Sequence, residues 1–290
     1  MSAAVVVRDN ASGVELAAKA AADTRRATRR ALLSSLATFV GTLALVLVLW
    51  QGALIAFDLS PFVAKGPVDV WRFLVTAPDA ADNRAEISAN LAITMRDAVV
   101  GFVAGLVGAT AIAVVFQLSK GVEAALMPIA LLLRTVPLIA FAPVIILVFG
   151  RGFWTTAVMG GIVVLFPALV TIAFGLKSAS PQMLDVVKVY GGGSSTALRK
   201  VAFPASLPAF FAAVRMSVPG AITGALLAEW LATGGGIGGI IYGYYAQARF
   251  NEMWASVVVV TAVSLVLYNL VAVVENTVLA RMGMHPSRRA

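Results

Sequence analysis

The sequence predicts an all-α membrane protein with six transmembrane helices. Of the 290 residues, 60% are hydrophobic and only 12% are charged, whereas soluble domains are about 45–50% apolar and about 25% charged. The apolar residues also form six long runs bounded by charge, Gly or Pro, and a helix that crosses a bilayer needs about 20 such residues. These runs lie at 34–57, 98–117, 124–149, 154–176, 208–232 and 254–280.

The N-terminal 33 residues precede the first run and are rich in Ala and, near their end, in Arg. A cleaved secretory signal is the alternative interpretation. The apolar run from Leu36 to Phe57 is longer than the roughly 7–15 residues of a signal core, and no small-x-small cleavage site closes it. We therefore interpret residues 1–33 as a cytoplasmic leader and 34–57 as the first transmembrane helix.

The segment 58–97 is the one extended connection on the opposite side. It contains Pro61, Gly66, Pro78 and mixed charges, so we predict an external loop with a short interfacial helix at about 87–95. The remaining five spans form a core at 98–281. In the second span, Gly101 and Gly105 make a small-xxx-small face, which suits packing within one subunit and dimerisation equally.

The distribution of Lys and Arg predicts the orientation, because cytoplasmic flanks carry the excess of positive charge. With the N-terminus inside, fourteen Lys and Arg residues fall in cytoplasmic segments and five in external ones. Both termini, including the tail 282–290, are therefore predicted to be cytoplasmic. The net charge of +8 is scattered rather than gathered in a basic stripe, so we expect contact with the lipid bilayer and no nucleic acid.

The sequence lacks the residues that several classes of catalytic site need. The chain has no Cys and one His, His285, so no disulfide or metal cluster is predicted. It has no G-x-x-x-x-G-K-[ST] phosphate loop and no nucleophile elbow. Gly234, Gly236 and Gly239 match G-x-G-x-x-G, but they follow an apolar helix instead of a strand. We predict no catalytic centre, cofactor or metal.

The connection between the fourth and fifth spans is long and patterned. Ser180 and Pro181 are helix-start signals, and three glycines from Gly191 are a stop, which predicts a helix of two to three turns. A second short helix is predicted at about 195–201, before Pro204. Charged and apolar side chains alternate here, as in a surface that docks a partner.

This connection resembles the cytoplasmic hallmark of the inner-membrane permeases of binding-protein-dependent ABC importers: Glu-Ala-Ala, three residues, Gly, nine residues, Ile-x-Leu-Pro. Asp185, Val186 and Val187 stand at the Glu-Ala-Ala positions, Gly191 follows after three residues, and residues 201–204 end the pattern after nine more. The resemblance implies a coupling helix that binds the ATPase through Asp185, Val186, Val187, Lys188, Gly191 and Pro204.

The similarity covers roughly residues 90–286. ArgThrValPro at 134–137, PheGlyArgGly at 149–152, the run AlaGluTrpLeuAlaThrGlyGlyGlyIleGly at 228–238 and MetGlyMetHisProSer at 282–287 resemble the subgroup that imports sulfonates, taurine and nitrate. The resemblance implies the type I importer architecture in the bacterial inner membrane. It also implies a permease homodimer, a separate cytoplasmic ABC ATPase and an extracytoplasmic solute-binding protein. A heterocyclic vitamin precursor is the alternative solute.

Three residues are candidates for the translocation path: Arg134, Pro137 and Glu229. A charge inside a span costs at least about 2.5–3.5 kcal/mol on insertion scales, so Arg134 either lines a cavity for an anion, bonds carbonyls freed by Pro137, or reaches an interface. Glu229 either faces the cavity, pairs with Arg134 or caps nearby backbone, and pairing is the preferred interpretation.

Two other functional classes stay open at this point. An ATP-independent secondary transporter would place several ionisable or unwound segments at the middle of the membrane, and only Arg134 and Glu229 qualify. A membrane-embedded enzyme would need a nucleophile and base that the sequence lacks. Trp230 and the tyrosines at 242, 244 and 245 fit an external aromatic belt or contact with the solute.

Overall fold

The computed structural model describes residues 37–284, and every regular element in that range is helical. The predicted leader 1–33 and most of the tail lie outside the described residues. Two compact units divide at Val68 and Asp69. The helices are α1 Ala37–Ala56, α2 Pro67–Trp71, α3 Ala80–Leu118, α4 Lys120–Thr135, α5 Leu138–Phe149, α6 Phe153–Lys177, α7 Pro181–Val189, α8 Ser194–Ala197, α9 Phe203–Ala228, α10 Gly236–Ala246 and α11 Phe250–Arg281.

The first unit contains α1, a helix of 20 mostly apolar residues, nearly all of them exposed. A helix with no polar side is unfavourable in water and suits a lipid surrounding. Its bounds lie within the predicted first span. After α1 the chain turns at Asp58, which has a φ of 47°, and Lys65 Nζ donates a hydrogen bond to the carbonyl of Pro61 at 2.8 Å.

In the second unit, α3 is one continuous helix of 39 residues. Residues 80–97 of the predicted loop segment therefore form the first half of a helix about 58 Å long, longer than the bilayer core of about 30 Å. Its start is anchored on a π-helical turn at Arg72–Thr76. Asn83 Nδ2 and Arg84 Nη1 donate hydrogen bonds to the carbonyls of Phe73 and Leu74 at 3.2 and 2.6 Å.

The predicted third span is broken. Helices α4 and α5 meet at an angle of 104° across Val136 and Pro137. Val136 is extended, with φ −76° and ψ 127°, a conformation that the ring of the following proline favours. Residues 37–284 thus contain five long apolar helices, or six spans if the bent pair counts as one.

Helix α6 lies between α3 and α9, and glycines bring the three backbones together. A methyl group on Gly101 would lie 2.8 Å from Gly160 Cα, and one on Gly224 would lie 2.7 Å from the same atom. A methyl on Gly105 would lie 2.7 Å from the Gly161 carbonyl oxygen. Of the two roles open for Gly101 and Gly105, the structure shows packing inside one subunit.

Helices α8 and α9 form one helical stretch from Ser194 to Thr233, so the prediction of a separate short helix that stops before Pro204 is wrong. A π-helical turn at Leu198–Ala202 joins them, and Pro204 occupies the first turn of α9. A second π-helical turn, Glu229–Thr233, ends the stretch.

The buried core between α3, α6 and α9 continues to the end of the bundle that carries α7. Phe116, Leu176, Val201 and Ala202 are among its members. At this end, called the α7 end below, Lys177 of α6 forms an ion pair with Glu123 of α4. The opposite end carries α10 and is called the α10 end.

Candidate functional site

Helix α7 is a short, sharply terminated helix at the α7 end. The N–H of Gly191 donates to the carbonyl of Lys188 at 2.9 Å, and the N–H of Gly192 donates to that of Val187 at 2.8 Å. This pair of bonds is a Schellman motif, which needs a left-handed residue after the helix. Gly191 supplies it with a φ of 76°. The predicted helix with a glycine stop is present.

The two sides of α7 differ. Leu184 and Val187 pack against the buried core, whereas Val186 is 55% exposed and Tyr190 is 87% exposed. Of the two adjacent valines in the motif, one therefore holds α7 to the body and the other points outward. The outward face is apolar at four positions: Met183, Val186, Val189 and Tyr190.

The remaining coupling residues have distinct positions. Asp185 and Lys188 form an ion pair at 3.0 Å on the surface of α7, with side chains 68% and 73% exposed. Pro204 lies on α9 and not on α7. The residues just before it, Val201 and Ala202, are buried, so the end of the motif belongs to the core beneath α7.

Arg134 is exposed in the last turn of α4, beside the break at Pro137. The ion pairs found within residues 37–284 do not include Arg134. The pairing of Arg134 with Glu229 expected from the sequence is absent, because the Glu229 carboxylate is bound elsewhere. Whether Arg134, Pro137 and Glu229 lie on a translocation path stays a prediction.

Glu229 is fully buried and caps the start of α10. Its Oε2 accepts hydrogen bonds from Thr94 Oγ1 at 2.9 Å and from the N–H of Gly238 at 2.8 Å. The N–H of Ile237 in turn donates to Thr94 Oγ1 at 2.8 Å. A hydrogen-bond acceptor is favoured here, since the first N–H groups of a helix have no partner within it.

Glycines make room for this cap. Gly236 has a φ of 66°, and a methyl group on it would lie 2.3 Å from the carboxyl carbon of Glu229. A methyl on Gly238 would lie 2.2 Å from the carbonyl oxygen of Leu226. The glycine run that matched a dinucleotide motif thus serves a close backbone approach to a buried carboxylate.

The far end of α10 is also held. The Tyr244 hydroxyl donates to Glu86 Oε1 at 2.7 Å, and the guanidinium of Arg249 lies 4.7 Å from the centre of the Tyr244 ring. Arg249 also pairs with Glu252 at 2.9 Å. Burial raises the pKa of Tyr244 above its usual range, and the hydrogen bond to Glu86 adds to this. Tyr244 therefore stays a neutral donor that ties α10 to α3.

A cavity of about 520 Å³ lies beside α10. Pockets of about 300–1,000 Å³ are typical of small-molecule sites. Residues of α9, α10 and α11 and of the π-helical turn between α9 and α10 line it: Thr223, Leu226, Leu227, Trp230, Gly238, Ile241, Tyr242, Tyr245 and Met253.

Sequence reasoning missed Thr94 and the role of the glycines. Thr94 is separated from Glu229 by 135 positions in the chain, and a threonine in a helix gives no signal of a distant carboxylate. The glycine run that contains Gly236 and Gly238 is visible in the sequence, but its contact with Glu229 is not. Within residues 37–284, no three Asp, Glu or His side chains come together as a metal site would require.

Comparisons with known proteins give a consistent result. Residues 100–282 match the family described as the binding-protein-dependent transport system inner membrane component. A probable ABC transporter permease protein of Haemophilus influenzae is 27% identical over 77% of this chain and 89% of its own length. A solved amino acid ABC transporter with histidines shares the fold, with a TM-score of 0.50 and 13% identity over 67% of this chain and 93% of that one.

Two further relatives carry the names of different solutes. A formylaminopyrimidine transport permease of Halalkalibacterium halodurans is 27% identical over 56% of this chain and 64% of its own length. A putative aliphatic sulfonates transport permease of Bacillus subtilis is 26% identical over 67% and 70%.

Proposed function

This chain belongs to the family of binding-protein-dependent transport system inner membrane components, and from that premise we propose that it brings one small solute into a bacterial cell. It is an all-α permease of the ABC importer type. The membership favours an ATP-driven permease over an ATP-independent secondary transporter. In the proposal ATP is hydrolysed by a separate cytoplasmic ABC ATPase, and this chain has no catalytic site.

The observation that carries the proposal is the outward apolar face of α7. A hydrophobic face on a short surface helix is costly in water and marks a contact with another protein. The face includes Val186, one of the motif residues, and ends at the Schellman turn of Gly191. We propose that this face enters the ATPase, with Asp185 and Lys188 at its rim.

The same geometry supplies a route for force. Leu184 and Val187 tie the inner side of α7 to the core that contains Val201 and Ala202. These two residues belong to the π-helical turn that continues directly into α9. A movement of α7 on ATP binding is thereby transmitted to α9. Helix α10, with the cavity beside it, follows α9 in the chain. Alternating access follows from tilting packed helices between two arrangements.

The α7 end is proposed to face the cytoplasm, with both termini on that side of the inner membrane. The excess of Lys and Arg in the segments on this side supports the assignment. The α10 end then faces an extracytoplasmic solute-binding protein. A permease homodimer is proposed because α4 and α5 have exposed apolar faces in the described part of the chain, which include Leu132, Leu147 and Val148.

The solute is proposed to be a small molecule of one of two kinds. A sulfonate, taurine or nitrate would use Arg134, which is charged, exposed and without an ion pair in the described part of the chain. A heterocyclic vitamin precursor would use the aromatic residues beside α10. One relative is named for a sulfonate and another for a pyrimidine, so each choice has a precedent.

Co-purification with the ATPase of the same importer tests the docking proposal. Val186→Asp places a charge on the outward face of α7, and Ser195→Asp adds the same charge to an exposed position of α8 as a matched control. We expect Val186→Asp to abolish recovery of the ATPase and Ser195→Asp to preserve it. Equal recovery with both variants would show that α7 is not the docking element.

A further inference from the structure

We infer that the cavity beside α10 binds a planar, uncharged ring of the transported solute. The inference rests on the proposed permease function and names the class of solute for it. It is carried by the chemistry of the cavity walls, by the position of the nearest charges and by the way α10 is held.

The walls present aromatic faces. Trp230 and Tyr242 have ring centres 6.5 Å apart at an interplanar angle of 45°, and Tyr245 lies one helical turn further on. Their side chains are 46%, 56% and 64% exposed, so the rings are free to meet a ligand. Aromatic pairs favour offset or edge contacts, which suit a flat ring entering from the open side.

Among the residues that the structure describes, no Asp, Glu, Lys or Arg lines this cavity. Glu229 is the neighbour of Trp230 in the chain, but its carboxylate is turned into the cap formed with Thr94 and Gly238. Arg151 lines a separate cavity. A sulfonate or nitrate would be bound by charged donors, and burying such an ion against apolar walls is unfavourable.

The wall of the cavity is almost entirely apolar. Sites for small molecules are lined mainly by hydrophobic and aromatic side chains. The apolar face of a planar ring fits such a wall, so face-to-face and edge contacts carry the proposed binding.

The wall that carries the two tyrosines is fixed before any ligand arrives. Helix α10 is capped at its start by Glu229 and tied at its end through Tyr244 to Glu86. Gly238, which also lines the cavity, lies against the backbone of Leu226. A preformed site loses less conformational entropy on binding than a flexible one.

The test uses the full chain in lipid nanodiscs with two fluorescent probes, lumichrome and 2-aminopurine, both planar and uncharged at neutral pH. We expect saturable quenching by the protein that empty nanodiscs do not produce. Trp230→Ala should weaken binding by about 2- to 12-fold, the effect of one aromatic contact. Trp154→Ala is the matched control, because Trp154 is also an exposed tryptophan, on α6, and does not line the cavity.

Three results would overturn the inference: quenching no greater than in empty nanodiscs for both probes, equal quenching with Trp230→Ala and the unmodified protein, or displacement of a bound probe by millimolar taurine or nitrate. ATPase recovery is measured on the same samples. Recovered ATPase without ring binding refutes the inference alone, whereas loss of ATPase association in the unmodified protein refutes the proposed function.

Discussion

The left-handed conformation of Gly191 makes a quantitative prediction about the end of α7. An alanine in this conformation costs about 1–2 kcal/mol, because its Cβ crowds the backbone carbonyl. No other atom lies within 4 Å of a methyl group placed on Gly191. The cost of Gly191→Ala is therefore a backbone cost alone, confined to the last turn of α7.

This cost should appear in the affinity for the ATPase. In the free permease the strained turn can relax by fraying, and it must be reformed when the ATPase docks. A cost of about 1–2 kcal/mol then weakens binding by about 5- to 30-fold, since every 1.4 kcal/mol is tenfold. Gly191→Asn should lose less, because Asn tolerates the left-handed region.

The assay is the dissociation constant of a labelled ATPase subunit for the permease in nanodiscs. Gly193→Ala is the matched control, since Gly193 has φ −81° and ψ −177° and open space around it. It should bind as tightly as the unmodified protein. Equal affinity of the Gly191→Ala and Gly193→Ala proteins would refute the role of the Schellman turn in docking.

Three further predictions concern stability, each measured by thermal unfolding in detergent. Gly105→Ala should lower the free energy of unfolding by about 1–3 kcal/mol, because the added methyl group forces α3 away from α6. Gly108→Ala should be nearly neutral, because its methyl group meets only the end of a leucine side chain at 3.3 Å. Glu229→Ala should lower the free energy of unfolding by about 1–3 kcal/mol, because it leaves buried donors without an acceptor. Glu229→Gln should lower it less, because the amide keeps a carbonyl acceptor. Arg215→Met should lower the free energy of unfolding by about 3 kcal/mol, because it removes the partner of Glu275 at 3.0 Å. Adding Glu275→Gln should recover most of that loss, because no unpaired charge is then left at position 275. A double variant as unstable as the single one would contradict the pairing.

Local signals in the sequence predicted α7 well. Its start at Ser180 and Pro181 and its stop at Gly191 depend on residues within one turn of each end, and such effects are readable without a fold. The long apolar helices followed from length and composition for the same reason. The family resemblance of residues 181–204 agrees with the match over residues 100–282.

The errors came from features that depend on tertiary contacts. Charges between Ala80 and Asp97 hid the first half of α3, which is held by bonds to the π-helical turn before it. The angle of 104° at Pro137 was expected only as a local disturbance of one helix. The expected pairing of Glu229 with Arg134 is wrong, because the partner is Thr94, whose neutral hydroxyl gives no sign in the sequence of a nearby carboxyl group.

The glycine contact between α6 and α9 has a mechanical consequence. The backbones of α6 and α9 approach closely at Gly160 and Gly224 with no intervening side chain, so a rotation of α9 about this point requires no rotamer change at the point itself. Along the helix, Gly224 lies about 30 Å from Phe203 and about 6 Å from Ala228. A rotation of α9 by one degree about Gly224 displaces Phe203 by about 0.5 Å and Ala228 by only about 0.1 Å. A movement at the α7 end of α9 is thereby reduced to a smaller movement at its α10 end.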